Sequence, residues 1–223
     1  MRLLRHAAAI AAKDVRVEIR AKHALGTLVP FAATVLVSFG FAFGPGRDVL
    51  VRTAPGLLWM AVLFAAVIAA RRAYQTESED GALEGLLLAP VDKAAVFLGK
   101  AAAVALQLLG LVACALLLVV VLFDLTVRGP LVLLAAFALG AVGLAAVGSL
   151  FGVVAEAART REAIFPTLVL PLVTPVLVAG VRATDLAATG RTDEALAWLG
   201  LLVAFDVVFV SLGILVFGFL MED

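Results

Sequence analysis

The sequence predicts an all-α, polytopic membrane protein with six transmembrane helices. Three observations carry that prediction. Of 223 residues, 64% are hydrophobic and only 15% charged, with a mean hydropathy of +1.16. Too few polar residues remain to cover a water-soluble domain, and the bilayer is the solvent that suits such a chain. Uncharged runs near span length, roughly 17–25 residues, recur along it. Lysine and arginine, finally, fall unevenly among the segments between those runs.

The runs are Ala24–Gly46, Thr53–Ala70, Ala101–Phe123, Gly129–Ala155, Ala163–Val181 and Ala195–Met221, the last interrupted by Asp206. The second is the shortest, and Arg71 and Arg72 beyond it can snorkel to the headgroups. The third carries Gln107, able to hydrogen-bond between helices, and Cys114 as a small apolar filler. A single cysteine excludes an intrachain disulfide and any CxxC motif. In the fourth run Ala136, Gly140, Gly148 and Gly152 form a ladder of small residues that permits close helix contact. The fifth contains Pro166, Pro171 and Pro175 and is predicted to be kinked or broken, since proline removes a helical N–H.

Counting lysine and arginine by side orients the chain. Twelve lie on the side of the N-terminus, the second loop and the fourth loop, against five on the other. Both termini are therefore predicted to be cytoplasmic. Residues 1–23 form a cytoplasmic basic amphipathic segment, in which Arg2, Arg5, Lys13, Arg16 and Arg20 recur at helical spacing. It reads either as a helix on the inner leaflet or as a positive topogenic tail. Those charges leave no apolar core for a secretory leader before residue 24. Residues 24–223 form the membrane domain, with a cytoplasmic loop at 71–100.

The chemistry-bearing motifs are few. No GxxxxGK[ST] exists to cradle a nucleotide, and no HExxH or GxSxG motif occurs, so neither a catalytic residue nor a metal site is expected. Basic and acidic residues balance at 17 each, which suggests no nucleic acid partner. Asp206 lies about 14 Å into the last span if that helix starts near Ala197. A carboxyl at such depth faces protein or water rather than lipid. With no second intramembrane acid or base beside it, helix packing is the favoured reading over a proton relay.

The second loop is the most distinctive stretch. Glu77, Glu79, Asp80 and Glu84 fall together, followed by Leu83, Leu86 and Leu87 on one helical face. Gly81 and Gly85 leave a flat strip, and Pro90 stops easy continuation. Ser78 or Asp80 can cap a helix start. A helix over Ser78–Ala89 is too short to cross a membrane and suits a groove in another protein. The other reading is a solvated acidic loop whose leucines pack on the chain's own helices.

At these residues the chain resembles the haem exporter protein B family, CcmB, of bacterial cytochrome c maturation. Ala54, Pro55, Gly56 and Trp59 match its first motif, with Pro55, Gly56 and Trp59 taken as a membrane-interface element. Glu77, Asp80, Gly81, Leu83, Glu84, Leu86 and Pro90 match the second, and Leu168–Val178 a third. The resemblance implies a type-2 ABC exporter permease, not itself an enzyme, in the bacterial inner membrane. ATP would be used by a separate ATPase subunit (protein A) docked at the loop. A polytopic haem-handling subunit (protein C), a small single-span subunit (protein D) and, indirectly, a periplasmic haem chaperone would be its partners. Haem would be the transported or handed-over substrate, with no cofactor bound in this chain. Haem is commonly held by His, Met, Cys or Tyr, and only Met60 and Cys114 lie in the interior of the spans. An autonomous secondary transporter, suited by the proline-rich span and Asp206, and a non-transporting scaffold of the maturation complex are the alternatives.

Overall fold

The computed structural model describes residues 2–21, 24–44, 46–79, 92–157 and 164–220. Among these, every long element is an α-helix and there is no strand. Helix α1 covers Arg2–Ala21; a π-helical turn, Ala24–Leu28, leads into α2, Val29–Phe43. Then follow α3, Arg47–Glu79; α4, Lys93–Phe123; α5, Pro130–Ala157; α6, Ile164–Thr189; and α7, Thr192–Leu220. Six stretches are long and apolar enough to cross a membrane: Gly26–Phe43, Arg47–Ala70, Lys93–Phe123, Pro130–Gly152, Val169–Thr189 and Thr192–Phe217.

The helices outrun the uncharged stretches that announced them. α3 begins at Arg47 and takes in Asp48 and Arg52, while α4 begins at Lys93 instead of Ala101. Backbone hydrogen bonding does not stop where hydrocarbon stops, and charges in end turns can reach the headgroups. With 31 residues, α4 is about 46 Å long, against a hydrocarbon core of about 30 Å.

The proline-rich span corrects an expectation. It is not broken: α6 is one continuous helix with Pro171 and Pro175 inside it. Pro166 sits in its first turn, where a missing N–H leaves no intrahelical bond unmade. Pro171 and Pro175 each remove one rung, too few to end a helix held by its neighbours. Thr174 Oγ1 also donates to the carbonyl of Leu170 at 3.1 Å, a local bond beside the gap.

Three turns gather at one end of the bundle. Asp124, in the left-handed region at φ 54°, ends α4. Pro130 opens α5, where its fixed φ is pre-organised for a first helical turn. Between them the amides of Arg128 and Gly129 both donate to the carbonyl of Ala187 in α6, at 3.2 and 2.8 Å. That carbonyl belongs to the last turn of α6, where the helix has no amide of its own to offer. Gly190, at φ 84°, ends the helix, and the Arg191 amide reaches back to the Leu186 carbonyl at 2.9 Å. This bond pattern closes a helix at a left-handed glycine. Arg47 of α3 pairs with Asp124 at the same end.

α5 is the hub, packed against α3, α4, α6 and α7. α2 packs mainly against α3 and α4 and exposes Phe39, Phe41 and Phe43. α7 likewise turns Val203, Val207, Val208 and Leu215 outward. In a membrane protein such faces meet lipid tails, so exposure there needs no further partner. At the end opposite the three turns, Phe97 of α4 and Phe217 of α7 lie 5.5 Å apart between ring centroids, over Ala146 and Leu150 of α5.

Candidate functional site

Helix α1 is docked on the bundle. Its strongest neighbour is α4, which it meets through its smallest side chains: Ala7 and Ala11 are buried there. A Cβ at Gly99 would lie 2.7 Å from Ile10 Cβ and 2.9 Å from the Ala7 carbonyl oxygen, so glycine permits the approach. Arg2, Arg5, Arg16 and Arg20 are exposed, on the face turned away from α4.

Beside Gly99 sits Lys100, only 1% exposed. Its Nζ donates to the carbonyl of Ala73 in α3 at 2.7 Å and lies 3.7 Å from Asp14 Oδ2 of α1. Asp14 is also paired with Lys13, at 3.0 Å. A buried ammonium is tolerated only with partners such as these. From the sequence alone this lysine had no role beyond its charge. The available signal was a lysine in the second turn of an otherwise apolar helix.

The acidic loop of the sequence reading is described only at its stems. α3 runs to Glu79, taking in the backbone of Glu77 and Ser78, and Asp92 caps α4 by accepting from the Ala94 amide at 2.9 Å. Asp80, Gly81, Leu83, Glu84, Leu86, Leu87 and Pro90 lie outside the described residues. The helix expected over Ser78–Ala89 falls mostly on them.

Trp59 is placed in the core. It is 1% exposed, stacked on Phe137 of α5 with centroids 5.5 Å apart. Its Nε1 donates to Thr184 Oγ1 of α6 at 2.9 Å. A Cβ at Gly140 would lie 2.6 Å from Trp59 Cζ3, and one at Gly180 would lie 2.7 Å from Cη2. Two glycines on two helices thus make the slot that takes the indole. One turn earlier, Pro55 is buried and Gly56 half-buried. The small-residue ladder of α5 therefore faces α3: Gly140 meets Trp59, and a Cβ at Gly148 would lie 2.7 Å from Ala70 Cβ.

Asp206 is buried, with no hydrogen-bond partner at Oδ1 among the described residues. A Cβ at Gly143 of α5 would meet Oδ1 at 2.7 Å, Phe205 at 3.2 Å and Val176 of α6 at 3.3 Å. The carboxyl fills the gap left by a glycine where three helices join, on the protein side of α7. At the turn end, the Glu194 hydrogen bond and charge raise the pKa of exposed Arg191 above its ordinary value. Among the described residues no group of three or more His, Cys, Asp or Glu could hold a metal ion. Two apolar crevices open outward. One, of about 250 Å³, lies between α1, α2 and α4 beside Glu18 and Gln107; the other, of about 420 Å³, lies at the turn end between Phe41, Leu50 and Phe123.

Six apolar helices with α5 as their hub, and a docked basic helix at one end, define an all-α polytopic membrane protein. The family model described as CcmB protein matches residues 5–221. The chain belongs to the CcmB family. It is 30% identical over 203 residues to Heme exporter protein B of Rhodobacter capsulatus, covering 91% of this chain and 93% of that one. To the protein of the same name from Pseudomonas aeruginosa it is 30% identical over 208 residues, covering 91% and 92%. With that of Escherichia coli K12 it shares 33% over 87 residues, 39% of this chain.

Proposed function

We propose that this chain is the permease subunit of an ATP-driven exporter that serves haem delivery in c-type cytochrome biogenesis. The observation that carries the reading is the similarity to proteins named Heme exporter protein B across nine-tenths of both chains. Six apolar helices supply the membrane body that such a subunit needs. In this reading the protein lies in the bacterial inner membrane with both termini cytoplasmic, and haem is cargo. ATP is hydrolysed by a separate ATPase subunit that docks on the loop between α3 and α4. A polytopic haem-handling subunit, a small single-span subunit and, indirectly, a periplasmic haem chaperone complete the assembly. Trp59 ties α3 to α5 and α6.

The ligand chemistry favours coupling over haem ligation by this chain. His6 lies on α1, outside the spans, while Met60 and Cys114 are single thioether and thiol groups on different helices. The continuity of α6 removes the interrupted span on which an autonomous transporter would lean. The test is reconstitution of the purified assembly in liposomes. ATP should change the rate of haem transfer to the periplasmic chaperone, and the tagged ATPase should co-purify with this chain. Transfer that ignores ATP, in an assembly that retains the ATPase, would leave a scaffold and overturn the reading.

A further inference from the structure

Lys100 joins three elements at one point, and its position along two of them is matched. Measured along α4, it stands seven residues from the first residue, Lys93; along α3, its acceptor Ala73 stands six residues from the last, Glu79. At the helical rise these offsets are about 10 and 9 Å, so the two stems of the 80–92 segment are pinned at equal depth. Asp14 brings α1 to the same ammonium. We propose that Lys100 is a positioning residue for that segment. It clamps the α3 extension and α1 onto α4, so that a displacement applied to the segment moves α1, α3 and α4 together. The proposal rests on the reading that the segment docks the ATPase, and it concerns what happens after docking.

Simple structural support would look different. A lysine side chain that only filled space would be replaced by methionine, of similar length and volume, with little consequence. Two of its partners stay satisfied in Lys100→Met. Asp14 keeps Lys13 at 3.0 Å, and Ala73 lies within α3, where its carbonyl has a helical amide four residues on. What is lost is the directional link between α1, α3 and α4.

The experiment uses the full chain in membranes, expressed with its partner subunits in a strain whose own copy is deleted, in a Cys114→Ala background. A cysteine at Ala7 or Ala11, both buried against α4, reports α1 release through its labelling rate. Lys100→Met is expected to raise that rate about tenfold or more, as loss of a charged hydrogen bond predicts. It should also lower c-type cytochrome yield while the chain stays inserted and ATPase recovery holds. Asp14→Asn should loosen α1 likewise, and Asp14→Glu, which keeps the charge, should restore both yield and protection. Unchanged labelling in Lys100→Met overturns the clamp, and so does raised labelling with full cytochrome yield. Leu86→Asp in parallel separates the two ideas: undiminished ATPase recovery there counts against docking at the segment and leaves the α1 measurement standing.

Discussion

Trp59 Nε1 donates to Thr184 Oγ1 at 2.9 Å across the junction of α3 and α6, inside a slot formed by Gly140 and Gly180. The indole is held on its edge by a hydrogen bond and on its face by Phe137. A rigid ring with a bonded N–H cannot swing aside, so its neighbours must stay small. Three of the six spans are registered against one another at this ring.

The first prediction follows from that rigidity. Gly180→Ala places a methyl group against the indole and should destabilise the chain by about 1–3 kcal/mol through overpacking. Thr184→Val removes the acceptor and leaves the indole N–H buried without a partner, a loss of about 1–3 kcal/mol. Thr184→Ser keeps the oxygen and should cost far less. Thermal unfolding of the detergent-solubilised protein ranks the three. A Thr184→Val variant as stable as the parent would show that the bond contributes nothing.

The second concerns Asp206 and Gly143. The carboxyl fills the space over a glycine, so shape matters more than charge. Asp206→Asn retains shape and hydrogen-bonding capacity and should leave c-type cytochrome formation largely intact. Gly143→Ala brings a methyl within 2.7 Å of Oδ1 and should reduce protein level at steady state. Loss of cytochromes in Asp206→Asn with normal protein level and assembly would replace packing with a relay or substrate role.

The outline of this fold was legible in the sequence because hydrocarbon imposes it. Six uncharged runs became six apolar helices, and the ladder at Gly140 and Gly148 did pack closely. The prolines were legible only in part. Pro171 and Pro175 pointed to a kinked or broken span; a break is absent, because a helix wedged among α3, α5 and α7 survives the loss of two rungs. Pairings between distant positions were not legible at all. Nothing in the chain announces that Trp59 seeks Thr184, 125 residues away, or that Lys100 would meet Asp14 and Ala73. Such contacts depend on the angles at which helices cross, which composition and period do not carry.

A third prediction tests orientation. Asp48 opens α3 and Asp193 opens α7, both exposed and both at the end where the three turns gather. The charge count predicts that this end lies outside the cytoplasm. In a Cys114→Ala background, cysteines at these two positions should react with a membrane-impermeant maleimide added to the periplasmic side. Reaction only from the cytoplasmic side would invert the topology and move the 80–92 segment away from any cytoplasmic ATPase.

The last prediction returns to that segment. Leu83, Leu86 and Leu87 recur at the spacing of one helical face, and Glu84 stands beside them. Burying a leucine side chain contributes about 1.5–3 kcal/mol, whereas an exposed ion pair contributes about 0–1 kcal/mol. If the leucines enter a groove on the ATPase, they dominate its affinity, and the acids set orientation and keep the unbound segment soluble. Leu86→Asp should then release the tagged ATPase during co-purification and abolish cytochrome maturation while the six spans remain inserted. Glu84→Gln should weaken recovery mildly, and raised salt should mimic part of that effect by screening the pair. Undiminished ATPase recovery with Leu86→Asp would mean that the leucines pack within the permease and that the ATPase docks elsewhere.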